Sequence, residues 1–157
     1  MEVKLPDKEE ITSAAQEIYR FMQPSAQITW PLLNERLNTQ TWVKHENHNP
    51  TGAFKVRGGL YYFARLEQEQ GSAIQGVCAA TRGNHGQSIA FAASRRGIRS
   101  IIVVPEANNS DKNAAMRALG AELIVHGSDF DEAAAYCKAL AEKEGYRMSV
   151  LTIKEYK

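Results

Sequence analysis

The sequence predicts an α/β fold built on an open parallel four-stranded sheet with flanking helices. Two observations carry this. From residue 76 onward, short apolar runs at 76–80, 101–104, 121–125 and 146–152 alternate with amphipathic stretches. Continuous apolar strands, without in-and-out alternation, are what a parallel sheet covered on both faces requires. Second, Gly97, Gly120 and Gly145 each stand just past a helical stretch, where the left-handed C′ conformation favours glycine. At 157 residues and 17.5 kDa the chain can hold one ordinary domain with a real core. Its 43% hydrophobic and 24% charged residues are typical of a globular protein.

In chain order, 7–22 reads as an amphipathic helix. Asp7 and Glu10 have capping-box spacing, and Ile11, Ala15, Ile18, Tyr19 and Met22 share a face. Pro24 ends it. Residues 29–33 read as a turn into a short apolar run, and 41–46 alternates enough to be a strand. After a helix beginning near Lys55 comes the strand 76–80, then a loop at 81–84 and a helix over 85–96. The β-branched run Ile101–Val104 stops at Pro105. A helix over 111–119 has Ser110 as its expected N-cap, and Asp129 with Glu132 opens a last helix that runs to Glu144.

The chemistry centres on residues 49–59, Asn-Pro-Thr-Gly-Ala-Phe-Lys-Val-Arg-Gly-Gly. No acidic residue occurs between Asn49 and Leu66, whereas Lys55, Arg57 and Arg65 are cationic. Pro50 and Gly52 mark a turn, which sets Lys55 at a helix start. That is the unfavourable end of the dipole for a cation, and a local rule broken without compensation tends to mark a functional site. There a lysine loses part of its preference for the charged form, and a neutral amine can attack a carbonyl. Taken alone, a lysine is more often a snorkelling surface residue.

The surrounding string shifts that balance. Asn49–Lys55 followed by Arg57-Gly58 resembles the Schiff-base lysine segment of the fold-type II pyridoxal-phosphate enzymes. The threonine/serine dehydratases (ammonia-lyases) and serine racemase are the most similar among them. Thr81-Arg82-Gly83-Asn84-His85-Gly86-Gln87 resembles that family's glycine-asparagine-histidine loop. A weaker block spans Pro105, Lys112-Asn113 and Met116–Glu122. The resemblance runs from about Thr29 to Arg147 and corresponds to the N-terminal half of a family member. It implies the N-terminal portion of the fold-type II architecture, with an incomplete second domain.

By that resemblance Lys55 is the catalytic lysine and holds pyridoxal 5'-phosphate, with Phe54 flanking the cofactor ring and Asn84 bonding its hydroxyl. Thr81 and Gly83 fall on the positions whose amides hold the substrate carboxylate, and His85 orients the turn. Read from the residues alone, Phe54 is equally an ordinary core aromatic, and 81–86 equally a plain βα turn. Neither Gly-x-Gly-x-x-Gly nor a Walker lysine pattern is present. Arg82 departs from the small residue usual in the family. It could clamp a substrate carboxylate bidentately, so threonine is not assumed as the substrate. Trp30 likewise interrupts the family's Thr-Pro-Leu element.

The remaining features exclude more than they assign. A net charge of +1 and a pI near 7.8 give no reason to expect nucleic acid or an anionic membrane as partner. Cys78 and Cys137, far apart in sequence, read as buried small residues of a reducing compartment. His45, His48 and His126 show no metal-ligand pattern. The charged start of the chain has no apolar leader region, and the expected compartment is the cytoplasm. Gly58-Gly59 is the one Gly-Gly pair; the family's glycine-rich phosphate run would lie beyond residue 157.

The expected organisation is a segment 1–55 belonging to the larger, truncated domain, a smaller α/β domain 56–152, and a divergent tail 153–157. Segment 1–55 would expose apolar surface. The leading functional expectation is a pyridoxal-phosphate ammonia-lyase acting on a small β-hydroxy amino acid to give a 2-oxo acid. The alternative is an inactive remnant or interaction subunit. The partner would be a second copy of the chain or the missing C-terminal half. A small nucleotide-binding domain is a third reading, favoured only if adenine nucleotides, and not pyridoxal phosphate, stabilise the protein.

Overall fold

The computed structural model describes residues 5–149. Helix α1, Lys8–Ile18, begins with the expected capping box: the Asp7 carboxylate accepts from Glu10 N–H, and the Glu10 carboxylate from Asp7 N–H, both at 2.9 Å. It ends earlier than the periodicity suggests. Strand β1, Gln27–Ile28, pairs antiparallel with β2, Val43–Lys44, the only part of 41–46 that is extended in a sheet. Between them Pro31–Leu37 forms a short helix, α2, where the sequence suggested only a turn and an apolar run. Pro31 occupies the first helical position, where its missing N–H costs nothing.

Helix α3, Lys55–Gln70, leads to β3, Val77–Ala80. Then follow α4, Asn84–Ser94; β4, Ser100–Val104; α5, Ser110–Ala118; β5, Glu122–Val125; α6, Phe130–Glu144; and β6, Arg147–Met148. Two caps correct the sequence reading. Asn109, not Ser110, caps α5, because its side chain is the one that accepts from Lys112 N–H. At α6, Asp129 accepts from Asp131 and Glu132 N–H, but the Glu132 carboxylate turns to Ser128, so the box closes on one side only. Gly97, Gly120 and Gly145 adopt φ of 65°, 99° and 71°, as expected. Residues 150–152 of the expected last strand and the 153–157 tail lie outside the described residues.

The four main strands are all parallel, in the order β5-β4-β3-β6. Because successive side chains alternate across a sheet, β3 and β4 divide cleanly between two cores. Val77, Ala79, Ile102 and Val104 pack with α3, α4 and Met116 of α5. Cys78, Ile101 and Val103 pack on the other face with Ala133, Cys137 and Ala141 of α6. Cys78 and Cys137 meet there, fully buried, with their sulfurs 2.8 Å apart, a juxtaposition their separation of 59 residues concealed.

From β3 the chain proceeds to β4 and β5 on one side, then returns to place β6 on the other side of β3. The carboxyl end of β3 is therefore a topological switch point, the place where open α/β sheets bind their ligands. Helix α3 lies against α4 through Gly59. A Cβ there would stand 2.2 Å from Ser88 Oγ and 2.8 Å from its carbonyl oxygen. Of the Gly58-Gly59 pair, Gly59 thus serves close helix packing, while Gly58 is exposed.

Candidate active site

The chain enters the site through a tight turn. Gly52 N–H donates to the Asn49 carbonyl at 2.8 Å, and Gly52 takes φ 66°. Phe54 caps α3 from a position 61% exposed, and Lys55 is its first residue. The Lys55 side chain is half-buried, with its ammonium 5.4 Å from the Phe54 ring centre. Among the described residues it forms no ion pair. Arg57, grouped with it in sequence, is different: Glu46 neutralises it in a two-pronged pair at 2.8 and 2.9 Å. Thr51, buried in the same turn, has a hydroxyl with no partner among the described residues.

The second part of the site is the loop leaving β3 at the switch point. Thr81 is buried, and its N–H donates to the Val103 carbonyl at 3.1 Å. Its hydroxyl accepts from Gly83 N–H at 3.1 Å. Two of the amides that the resemblance singled out are thus already engaged. Gly83 occupies the N-cap of α4 and offers no side chain to it. The N–H groups of Asn84, His85 and Gly86 therefore begin the helix without an intrahelical acceptor and form its positive pole. Arg82 and Asn84 are exposed. Lys112 of α5 lies over the loop: a Cβ on Gly83 would stand 3.0 Å from Lys112 Cδ and 3.5 Å from its Nζ.

His85 and Ser88 join the two parts. Ser88 Oγ donates to the Lys55 carbonyl at 2.6 Å. The His85 ring lies close enough to feel the Lys55 charge. Burial first, and that charge second, hold its pKa down at about 4, so it is neutral at neutral pH. Its Nε2 stands 3.5 Å from the hydroxyl of Ser149, just past β6. The structure thus brings Lys55, Phe54, Thr81, Gly83, Asn84 and His85 to one end of the sheet. No group of three or more potential metal ligands gathers among the described residues; His45 instead stacks on His48.

A sequence profile of the family described as pyridoxal-phosphate dependent enzyme matches residues 18–151. The chain belongs to this family. Its fold is that of fold-type II pyridoxal-phosphate enzymes, and the cofactor of the family is pyridoxal phosphate. Among its relatives, the biosynthetic L-threonine dehydratase of Salmonella typhimurium is 40% identical over 114 residues, covering 73% of this chain and 22% of that one. The corresponding Haemophilus influenzae protein is 35% identical over 144 residues, covering 88% and 28%.

Solved structures agree. A pyridoxal 5'-phosphate-dependent aspartate racemase superposes with a TM-score of 0.83 at 28% identity, over 92% of this chain and 46% of that one. Processed threonine deaminase isoform 2 from Solanum lycopersicum gives 0.78 at 29%, over 92% and 43%. The chain therefore spans about a quarter of these curated relatives and under half of these solved chains.

Sequence reasoning missed Glu46, the carboxylate that answers Arg57. The signal available was the single acidic residue just ahead of a stretch that has none.

Proposed function

We propose that this chain carries the lysine-bearing portion of a pyridoxal-phosphate ammonia-lyase of the threonine/serine dehydratase kind. The reaction converts a β-hydroxy amino acid to ammonia and a 2-oxo acid. One observation carries the reading: Lys55, an amine with no carboxylate partner among the described residues, stands beside a helix start whose first N–H groups have no intrahelical acceptor. Those residues suit the group chemically, with an amine for its aldehyde, Phe54 for its ring and Asn84 for its hydroxyl. When bound, pyridoxal phosphate supplies an electron-withdrawing ring that stabilises negative charge on the substrate α-carbon.

The protein's own residues do the rest. Lys55 Nζ accepts the α-proton. The amides at the start of α4 bind the substrate carboxylate, on a turn held in shape by Thr81 and Gly83. Neutral His85 supports that turn and adds no positive charge to it. Arg82 reaches from the same turn as a fork that pairs with a carboxylate. We place residues 1–55 with the larger domain and 56–152 in the smaller one, in a cytoplasmic homo-oligomer. Incubating the protein with pyridoxal phosphate and L-serine or L-threonine tests this: ammonia and 2-oxo acid should form in equal amounts, and Lys55→Ala should form neither.

A second reading, an interaction subunit that acts only with another polypeptide, is favoured by one observation. The exposed large apolar side chains concentrate in the first 55 residues, among them Leu5, Trp30, Leu32, Leu37 and Trp42. Turnover by the isolated chain would count against it.

A further inference from the structure

We propose that Glu46 is a positioning residue for Lys55. Its carboxylate clamps both flanks of the lysine segment and thereby fixes where the Lys55 amine stands relative to the Asn84 turn. The inference rests on Lys55 being the cofactor-binding amine and adds to that reading what aims it.

The two Glu46 oxygens take four bonds. Oε1 accepts from Ser25 Oγ at 2.6 Å and Arg57 Nη2 at 2.9 Å; Oε2 accepts from Asn49 Nδ2 at 2.6 Å and Arg57 Nε at 2.8 Å. Asn49 heads the lysine segment, and its amide also reaches the carbonyl of Ala53 at 3.4 Å. Arg57 follows Lys55 by two residues, within the first turn of α3. The segment is thus gripped through the Asn49 side chain, the Ala53 carbonyl and the Arg57 side chain, on both sides of the residue whose side chain must be aimed. Ser25 brings the segment ahead of β1 into the same cluster, and Tyr19 adds a bond from Arg57 Nη1 at 3.3 Å.

The geometry calls for a carboxylate. Four donors converge on two oxygens, a load that only an acceptor-only group can carry. An amide in its place would turn its own N–H toward Asn49 or Arg57 and leave a half-buried donor unpaired. The paired guanidinium also needs the negative charge, because Arg57 sits at the positive end of α3. The Arg57 hydrogen bond is the largest reason the Glu46 pKa falls to about 2, so the clamp stays charged at every pH of interest. The Lys55 ammonium forms no ion pair among the described residues, so the orientation of its side chain depends on how firmly the backbone beneath it is held.

The test measures where pyridoxal phosphate attaches. The full chain is incubated with it, reduced with borohydride and digested. The label on Lys55 is then compared with that on the exposed Lys112 and Lys138, at a temperature where circular dichroism shows each variant folded. The expected result is preferential labelling of Lys55 in the wild type and a loss of that preference of about tenfold in Glu46→Gln, part of the roughly 100-fold that a misplacement of about 1 Å costs a reacting group. Glu46→Asp, which keeps the charge, should recover most of it.

Should Glu46→Gln fail to fold, Arg57→Lys takes its place. It retains the positive charge, lacks the fork and should show the same loss. A folded Glu46→Gln, or its stand-in, with wild-type preference would overturn the clamp alone, since a purely structural ion pair leaves site selection unchanged. A wild type that labels Lys55 no more than Lys112 would overturn the functional reading, and the clamp with it.

Discussion

The Ser88 hydroxyl donates to the backbone carbonyl of Lys55 at 2.6 Å, which fastens α4 to the residue that opens α3. The lysine and the loop at the end of β3 are therefore held on one rigid pair of helices. That contact is possible because Gly59 lets the two backbones approach over Ser88.

Gly59→Ala should separate those helices. The added Cβ meets backbone as well as a side chain at Ser88, so the neighbour cannot rotate away. A loss of about 1–3 kcal/mol in urea unfolding is expected. Ser88→Ala, which removes only the bond, should cost about 0.5–1.5 kcal/mol.

Stability should fall between pH 6.5 and 4 because of His85. Its pKa drops from 6.5 in the free side chain to about 4 in the fold. In that window the unfolded chain takes up a proton that the folded chain refuses. The stabilisation is complete above pH 6.5 and lost as pH falls toward 4, by about 3 kcal/mol in all. Glu46 contributes a separate stabilisation, present in full above its ordinary 4.5 and lost as pH falls through about 2. Denaturation midpoints followed against pH should show the first leg in the wild type and not in His85→Gln.

The two thiols should be inert in the native protein. Cys78 and Cys137 are fully buried, and contact with Cys78 together with burial pushes the Cys137 thiol up, which leaves it little thiolate. A chromogenic disulfide reagent at pH 8 should detect both groups only after urea is added. Rapid reaction of the native chain would contradict the packing of α6 on β3.

Much of this was legible in the sequence because local rules and the global fold agree. Apolar runs gave the strands of the main sheet, Gly97, Gly120 and Gly145 took positive φ, and Asp7 with Glu10 formed its box. The cap of α5 was misread by one residue because Asn109 and Ser110 both suit the position. Helix α2 was hidden by Pro31, which reads as a breaker yet starts a helix equally well. The Glu46–Arg57 pair, 11 residues apart, left as its one trace the lone acidic residue ahead of a stretch that has none. The meeting of Cys78 with Cys137 depends on a contact across 59 residues, which no local pattern encodes. For the same reason the engagement of Thr81 N–H by Val103 in the neighbouring strand was invisible.

The most direct measurement is the absorbance of the chain after pyridoxal phosphate is added, compared between wild type and Lys55→Ala. A visible band from the lysine-bound cofactor is expected in the wild type and not in the variant. An equal band in Lys55→Ala, or none in either protein, would contradict the reading of Lys55 as the cofactor-binding amine.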